Sequence, residues 1–467
     1  MPDFRTIHEL AAGLAEGEYS SRDLTQASLD EIAATDGVLK AWVAVATDRA
    51  LAEADASDQR RKEGRTLGPL DGIPYGAKDL YDTEGVETRS SSEVLAGRIP
   101  DRDCSAVARL RDAGAVLVGK TNTHEFAYGA ATPPTSNPWN LKHVPGGSSG
   151  GTGAAVASGQ VPFGLGTDTG GSIRIPTAFC GLSGIKPTFG RVPKDGVAAL
   201  SWSTDHTGPM CHDIEDVAIS MNILAGHAER DPNSGRFPVP DYMARLRSGV
   251  QGAKLGVANN YFKTHFPDVQ AAFDTAVGQL AAAGADIVSV DVPESIEMVK
   301  PAAFAIWLAE GSAYHQARYR RQKDQYTADV AALILPGEFI LGTDYINARR
   351  FRSRFNHEMR QMYDQTGIQA LLTPTNPGTA FGQDWAEYTA PDGWSDAVLS
   401  TAIHFTSPFN MTGQPAVTVP SGFDANDLPY GLQIVGRPWA DDFCLQVAYA
   451  YQQVTDWHLR HPAPVAG

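Results

Sequence analysis

Read for hydrophobic and polar positions, the chain opens with helices. Ile7, Leu10 and Leu14 recur at helical spacing, and Ser21 stands where it would cap a second run through Leu24, Leu29 and Ile32. Gly and Pro interrupt this pattern at GPLDGIPYGAKDL, residues 68–80. From Ser105, AVARLRDAGA reads as a helix leading into a short buried strand, VLVGK, at 116–120. The same helix-to-strand step recurs over 268–292 and over 346–373, where it runs into the strand IQALLTPT. Near the end, PAVTVP and GLQIVG read as two more core strands. Helix and apolar strand in alternation predict an α/β fold on a large mixed, mostly parallel sheet.

Composition narrows the function classes. The chain has 467 residues, 42% hydrophobic and 20% charged, enough to bury a large core. Its formal net charge is −16, which argues against nucleic acid or an anionic membrane as partner, since both need a basic face. Cys104, Cys180, Cys211 and Cys444 are far apart and show no metal-ligand spacing, so they read as buried free thiols. MPDFRTIHELAAGLAEGEYSS carries acids where a signal peptide needs a long apolar run. No stretch reaches the roughly 18 apolar residues of a membrane span. The expectation is a cytoplasmic protein without a membrane segment, acting as monomer or homodimer.

Two glycine–serine loops carry the chemistry. PGGSSGGTGAAVASG spans 145–159, and GGS returns at 170–172. Neither is a phosphate loop, because no lysine follows the glycines and the third glycine of a dinucleotide fingerprint is missing. Gly147 to Gly151 fits G-x-S-x-G, but prolines rather than a strand precede it. Ser183 to Lys186 fits S-x-x-K, a motif that belongs on a helix, and Gly184 and Pro187 flank it badly. None of the twelve histidines, among them His124, His143, His206 and His404, stands in a triad motif. A base other than His is therefore considered, and lysine can serve once desolvated. Releasing a lysine proton near neutral pH needs about 4 kcal/mol from its surroundings. Lys78 stands in the apolar, Gly-rich IPYGAKDLYD.

At these residues the sequence resembles the amidase signature family. The matching pieces are GPLDGIPYGAKD, LVGKTNTHEFA, NPWN, PGGSSGGTGAAVA, GTDTGGSIRIPTAFCGLSGIKPTFGRVP, DHTGPM, FNMTGQPAVTVP and PYGLQIVGRPWADD, in order along most of the chain. The resemblance implies one domain, 1–467, with helices on both faces of its sheet. Within it, N-terminal helices span 1–65, a catalytic core 66–225, a possible excursion 226–254, and a C-terminal core and pocket region 255–467. It implies Ser172 as nucleophile, Ser148 as bridging serine after a cis bond from Gly147, and Lys78 as base. Thr152 stands where the family often has a third serine, and it keeps the hydroxyl. Backbone N–H groups along Thr169, Gly170 and Gly171 can curl around a developing oxyanion. Asp168 and Arg174 read as a buried ion pair holding that loop, and Ser149 as its hydrogen-bonding support. Neither cofactor nor metal is expected.

The substrate reading starts from EFAYGAATPP and LSWSTDHTGP, which flank the site. Their Phe126, Tyr128 and Trp202 give it an aromatic character suited to small neutral amides, anilides or carbamates (urethanes). The alternative within the family is the glutaminase subunit of a tRNA-dependent amidotransferase. That branch holds its amino acid with an Arg and an acid. Here residues 331–343 contain no arginine, and apolar Ile403 stands where the acid would fall.

Overall fold

The computed structural model describes residues 3–384 and 387–465. Among them thirteen strands form: β1 Trp42–Val45, β2 Pro74–Lys78, β3 Val116–Thr121, β4 Phe163–Asp168, β5 Ser183–Lys186, β6 His206–Cys211, β7 Lys254–Ala258, β8 Asp286–Val290, β9 Ala370–Pro374, β10 Glu387–Thr389, β11 Ser395–Ala397, β12 Ala416–Phe423 and β13 Pro429–Gly436. Eleven join one sheet in the order β1-β3-β2-β4-β6-β5-β12-β13-β9-β7-β8, while β10 and β11 make a separate hairpin. The sheet is mixed, as expected, but less parallel than the helix–strand alternation suggests. The parallel pairings are β3–β2, β2–β4, β9–β7 and β7–β8, and the six others are antiparallel. Ser183–Lys186, a motif otherwise expected on a helix, is strand β5.

Both faces of the sheet are buried, because side chains alternate along each strand. Ala370, Leu372, Val417 and Ile434 enter one core; Leu371, Ala416 and Val435, one residue away, enter the other. The first core takes apolar residues from helices Ile7–Glu16, Ile214–Leu224, Pro267–Ala282 and Asp441–Gln452. The second takes them from Val299–Gln322, Ala328–Gly337 and Gly342–Thr366. Residues 226–253 form neither helix nor strand, yet bury Tyr242, Leu246 and Val250 in the first core. All four cysteines are free and buried.

Helix starts follow local chemistry. Thr6 and Glu9 close a capping box on the first helix. The second cap is Ser20 rather than Ser21: the Ser20 side chain accepts from Asp23 N–H, while the Ser21 hydroxyl donates to Gly72 C=O (2.9 Å).

Candidate active site

Lys78 is the last residue of β2, flanked on both sides by parallel strands. Side chains leaving the carboxyl ends of such strands converge where ligands bind in α/β sheets. Lys78 is fully buried, and its Nζ lies 2.8 Å from each of three hydroxyls, those of Ser148, Ser149 and Thr167. Burial pushes its pKa well below the usual lysine range, against the weaker pull of Asp168 and Asp205. A neutral amine has two N–H donors and one lone pair, so three hydroxyls satisfy it when two accept and one donates. Ser149 is one of the acceptors, since its own O–H donates to Thr167 C=O (3.2 Å).

Ser148 is presented by a turn that glycine makes possible. Gly146 has φ +83°, and a Cβ on Gly147 would stand 2.3 Å from Ala131 O. The Gly147–Ser148 peptide is cis. The Ser148 carbonyl accepts from His124 N–H (3.1 Å) and from the hydroxyls of Thr123 (2.9 Å) and Thr132 (3.2 Å). Thr152 bonds the Thr121 hydroxyl (2.7 Å) and the Leu165 carbonyl (3.2 Å) rather than Lys78.

The second loop leaves the end of β4. Gly171 has φ +145°, and a Cβ there would be 2.4 Å from Thr406 Oγ1. Among the described residues, the N–H groups of Thr169, Gly170, Gly171 and Ser172 donate to no protein acceptor. Four successive free donors form an anion-receptive rim. The loop closes into the short helix Arg174–Phe179, whose first N–H groups are met by Asp168: Ile173 N–H donates to its Oδ2 at 3.1 Å.

Asp168 and Arg174 are the buried pair that holds this loop. Arg174 Nε and Nη2 donate to the two Asp168 oxygens at 3.0 and 2.9 Å, and both side chains are fully buried. Burial alone would raise the Asp168 pKa; the Arg174 charge and hydrogen bonds outweigh it and hold the carboxylate well below its ordinary range. Arg174 also donates to Thr406 C=O, Gln433 Oε1 and Asn410 Oδ1, so it has no group free for a substrate.

Ser172 opens onto a cleft with Gly147, Thr169 and Gly170 at its floor. Ile175, Trp307, Leu308, Leu333, Leu399 and Ile403 supply apolar walls, and no charged side chain among the described residues lines it. Tyr128 is also in the wall. Phe126 is not: it lies in the core with its ring 4.4 Å from His315. Trp202, 41% exposed, lines a neighbouring cavity of about 170 Å³ with Lys194 and Asp205. Gly171 lies in the loop but not on the cleft surface. Lys78 and Ser148 are in direct contact, whereas no hydrogen bond joins the Ser148 and Ser172 hydroxyls. The link seen between the two loops is main-chain, Ser149 N–H to Ser172 C=O at 3.3 Å.

Several of these residues escape sequence reasoning. Thr167, two positions before Thr169, carries no signal beyond its hydroxyl. Phe304, Trp307 and Leu308 do show the i, i+3, i+4 spacing of one helix face, though nothing local points that face at residue 170. No group of three or more His, Cys, Asp or Glu side chains suited to a metal ion occurs among the described residues, and no helix among them is long and apolar enough to cross a membrane.

Comparison with known proteins bears on the family and the fold. The family model described as Amidase matches residues 23–445. An amidase of Pseudomonas putida is 42% identical, covering 98% of this chain and 97% of its own. A glutamyl-tRNA(Gln) amidotransferase subunit of Chloroflexus aggregans is 40% identical, with 98% of each chain covered. A solved bacterial aryl acylamidase of the amidase signature family superimposes with TM-score 0.89 at 26% identity, over 97% of this chain and 98% of its own.

Proposed function

The chain belongs to the amidase family and is a hydrolase acting on carbon–nitrogen bonds; from that premise we propose that it cleaves small neutral amides, anilides or carbamates through an acyl-enzyme on Ser172. The observation that carries this reading is the surroundings of Lys78: a buried amine with three hydroxyls at 2.8 Å and, among the described residues, no carboxylate in contact. A lysine so placed gives up its proton more readily than a solvated one and serves as base.

Ser148 passes its hydroxyl proton to the Lys78 amine and takes the Ser172 proton. The freed Ser172 Oγ forms a bond to the substrate carbonyl carbon. The oxygen that becomes negative is received by the N–H groups of Thr169, Gly170 and Gly171, each such donor worth about 3–4 kcal/mol in acyl transfer. The C–N bond then breaks, and the proton returns through Ser148 to the departing nitrogen. Water repeats the attack on the acyl-enzyme with the same relay. The Ser148–Ser172 contact forms when substrate is bound, as catalytic hydrogen bonds commonly tighten only in the complex.

A second reading, a glutaminase subunit, is favoured by the 40% identity to the Chloroflexus aggregans protein. The cleft weighs against it. Leu333, from the stretch lacking arginine, and Ile403 both face it, so the charges of an amino acid would be desolvated without partners, which is costly. The test is the purified chain, sized by gel filtration and assayed on a nitroanilide, a primary amide, a phenyl carbamate and glutamine. Turnover of the neutral substrates by a monomer or homodimer supports the proposal. Glutamine hydrolysis alone, or activity only with an added partner, refutes it.

A further inference from the structure

Glu310 is a buried carboxyl that the relay does not use. It lies on the helix Val299–Gln322 and is 2% exposed. Its Oε2 accepts from the Ser201 hydroxyl (2.7 Å) and Ser203 N–H (3.2 Å); its Oε1 accepts from the Tyr345 hydroxyl (2.8 Å), with Arg349 Nη1 at 3.5 Å. It therefore pins residues 200–205 against the helix Gly342–Thr366.

Those pinned residues hold the anion-receptive loop from two sides. On one side the hydrogen bonds run in a fixed direction. Trp307 Nε1–H donates to Thr204 Oγ1 (2.9 Å), Thr204 O–H to Ser201 Oγ (2.9 Å), and Ser201 O–H to Glu310. Every donor in the chain points toward the carboxyl that ends it, an arrangement in which each bond strengthens the next. The Trp307 indole so fixed covers Gly170, where a Cβ would meet it at 2.8 Å. On the other side, Thr169 O–H donates to Asp205 Oδ1 (2.7 Å), and Asp205 is itself fixed by the N–H groups of Leu200 and Ser201. Thr169 and Gly170 are thus both held by a segment whose buried anchor is Glu310.

We propose that Glu310 is a positioning residue for this hydrolase, setting the N–H groups of Thr169 and Gly170 through Ser201, Thr204 and Asp205. The inference rests on the reading of those groups as the oxyanion site. Oxyanion donors act only when their direction is fixed before charge develops, and a 1 Å displacement is enough to lose most of the effect.

Glu310→Met keeps the length and removes both acceptors, so kcat per active site falls about tenfold or more, the equivalent of one charge-assisted hydrogen bond, with KM within about threefold. Sites are counted by covalent adduct, so misfolded protein does not enter the rate. Glu310→Gln keeps one oxygen for Ser201 and Ser203 and stays near wild type. Ser201→Ala, which leaves Glu310 in place, lowers kcat in the same direction and serves if the Met variant does not fold. Thr169→Val breaks the Asp205 arm, and combined with Glu310→Met it costs less than the product of the two single losses. Wild-type kcat per site in Glu310→Met, or in Ser201→Ala if that is the variant that folds, overturns the proposal, as does full multiplicativity with Thr169→Val. Ser172→Ala run in parallel separates the failures. Turnover surviving there refutes the nucleophile assignment, whereas wild-type kcat in Glu310→Met with Ser172→Ala inactive refutes the Glu310 role alone.

Discussion

Replacing Arg174 by Met probes how the nucleophile loop is held, and its signature is a pH dependence. The guanidinium makes two hydrogen bonds to Asp168 (3.0 and 2.9 Å) and three to neutral acceptors, Thr406 C=O (2.9 Å), Gln433 Oε1 (2.7 Å) and Asn410 Oδ1 (2.6 Å). Without it, Asp168 keeps Ile173 N–H (3.1 Å), the N–H of residue 174 (3.4 Å) and Asn410 Nδ2 (2.8 Å), with no hydrogen-bonded cation and only the weaker influence of Lys186, whose ammonium is bonded to the Pro187 and Gln414 carbonyls. Breaking a buried pair by removing one member costs about 3–5 kcal/mol. In the wild type, the Asp168 pKa lies below its unfolded value, so the pair's contribution is fully present above about pH 4 and is lost only in stronger acid. In the variant, burial prevails and the Asp168 pKa rises above its unfolded value. From about pH 4 upward the buried carboxyl then costs up to about 1.4 kcal/mol per pH unit, until its own pKa is passed. The stability gap between wild type and variant therefore widens from pH 5 toward neutrality. Urea unfolding followed by tryptophan fluorescence at several pH values, with eight tryptophans as reporters, measures it. A gap that is the same near pH 5 and pH 7, or under about 1 kcal/mol at pH 7, refutes the account of this pair.

Lys78→Met leaves the protein folded and lowers kcat by about 10²–10⁴, the usual worth of a positioned base; turnover within a few-fold of wild type would exclude Lys78 from that role. In the wild type, kcat/KM rises as pH climbs through the depressed Lys78 pKa, since only the neutral amine accepts a proton; a rate that falls over that interval contradicts a lysine base. Ile403→Arg puts a charge into an apolar wall and raises KM for a neutral anilide by about tenfold or more, which a substrate panel reads directly. EDTA leaves turnover unchanged, because Ser and Lys supply both nucleophile and base; loss of activity in chelator would place an essential metal in the reaction.

What the sequence reveals, and what it hides, follows from physical range. The two glycine–serine loops are legible because their backbones require glycine: Gly146 and Gly171 have positive φ, and Gly147 has no room for a side chain. Lys78 stands out because the stretch around it, IPYGAKDL, is mostly apolar and glycine-rich rather than a charged surface run. Pocket aromatics are harder to tell apart. Phe126 and Ala127 have φ of +48° and +69°, which turns the chain so that Phe126 enters the core while Tyr128 reaches the cleft; two aromatics in EFAYG look alike until that turn is known. Strand direction is equally hidden. A strand buried on both faces reads the same whether its neighbours run parallel or antiparallel, so the antiparallel centre of the sheet, β6-β5-β12-β13, is not visible in the pattern. Trp307 and Glu310 meet the site across more than a hundred residues of chain, and their role depends on partners that no local spacing announces.

A covalent intermediate on Ser172 can be trapped and located. A slowly hydrolysed carbamate is added, the enzyme is quenched, and the tryptic peptide 143–174, which contains both Ser148 and Ser172, is fragmented in a mass spectrometer. The carbamoyl mass is expected on Ser172, one per active chain, and none on the Ser172→Ala protein. An adduct on Ser148 or Ser149, or one that persists in Ser172→Ala, would contradict it.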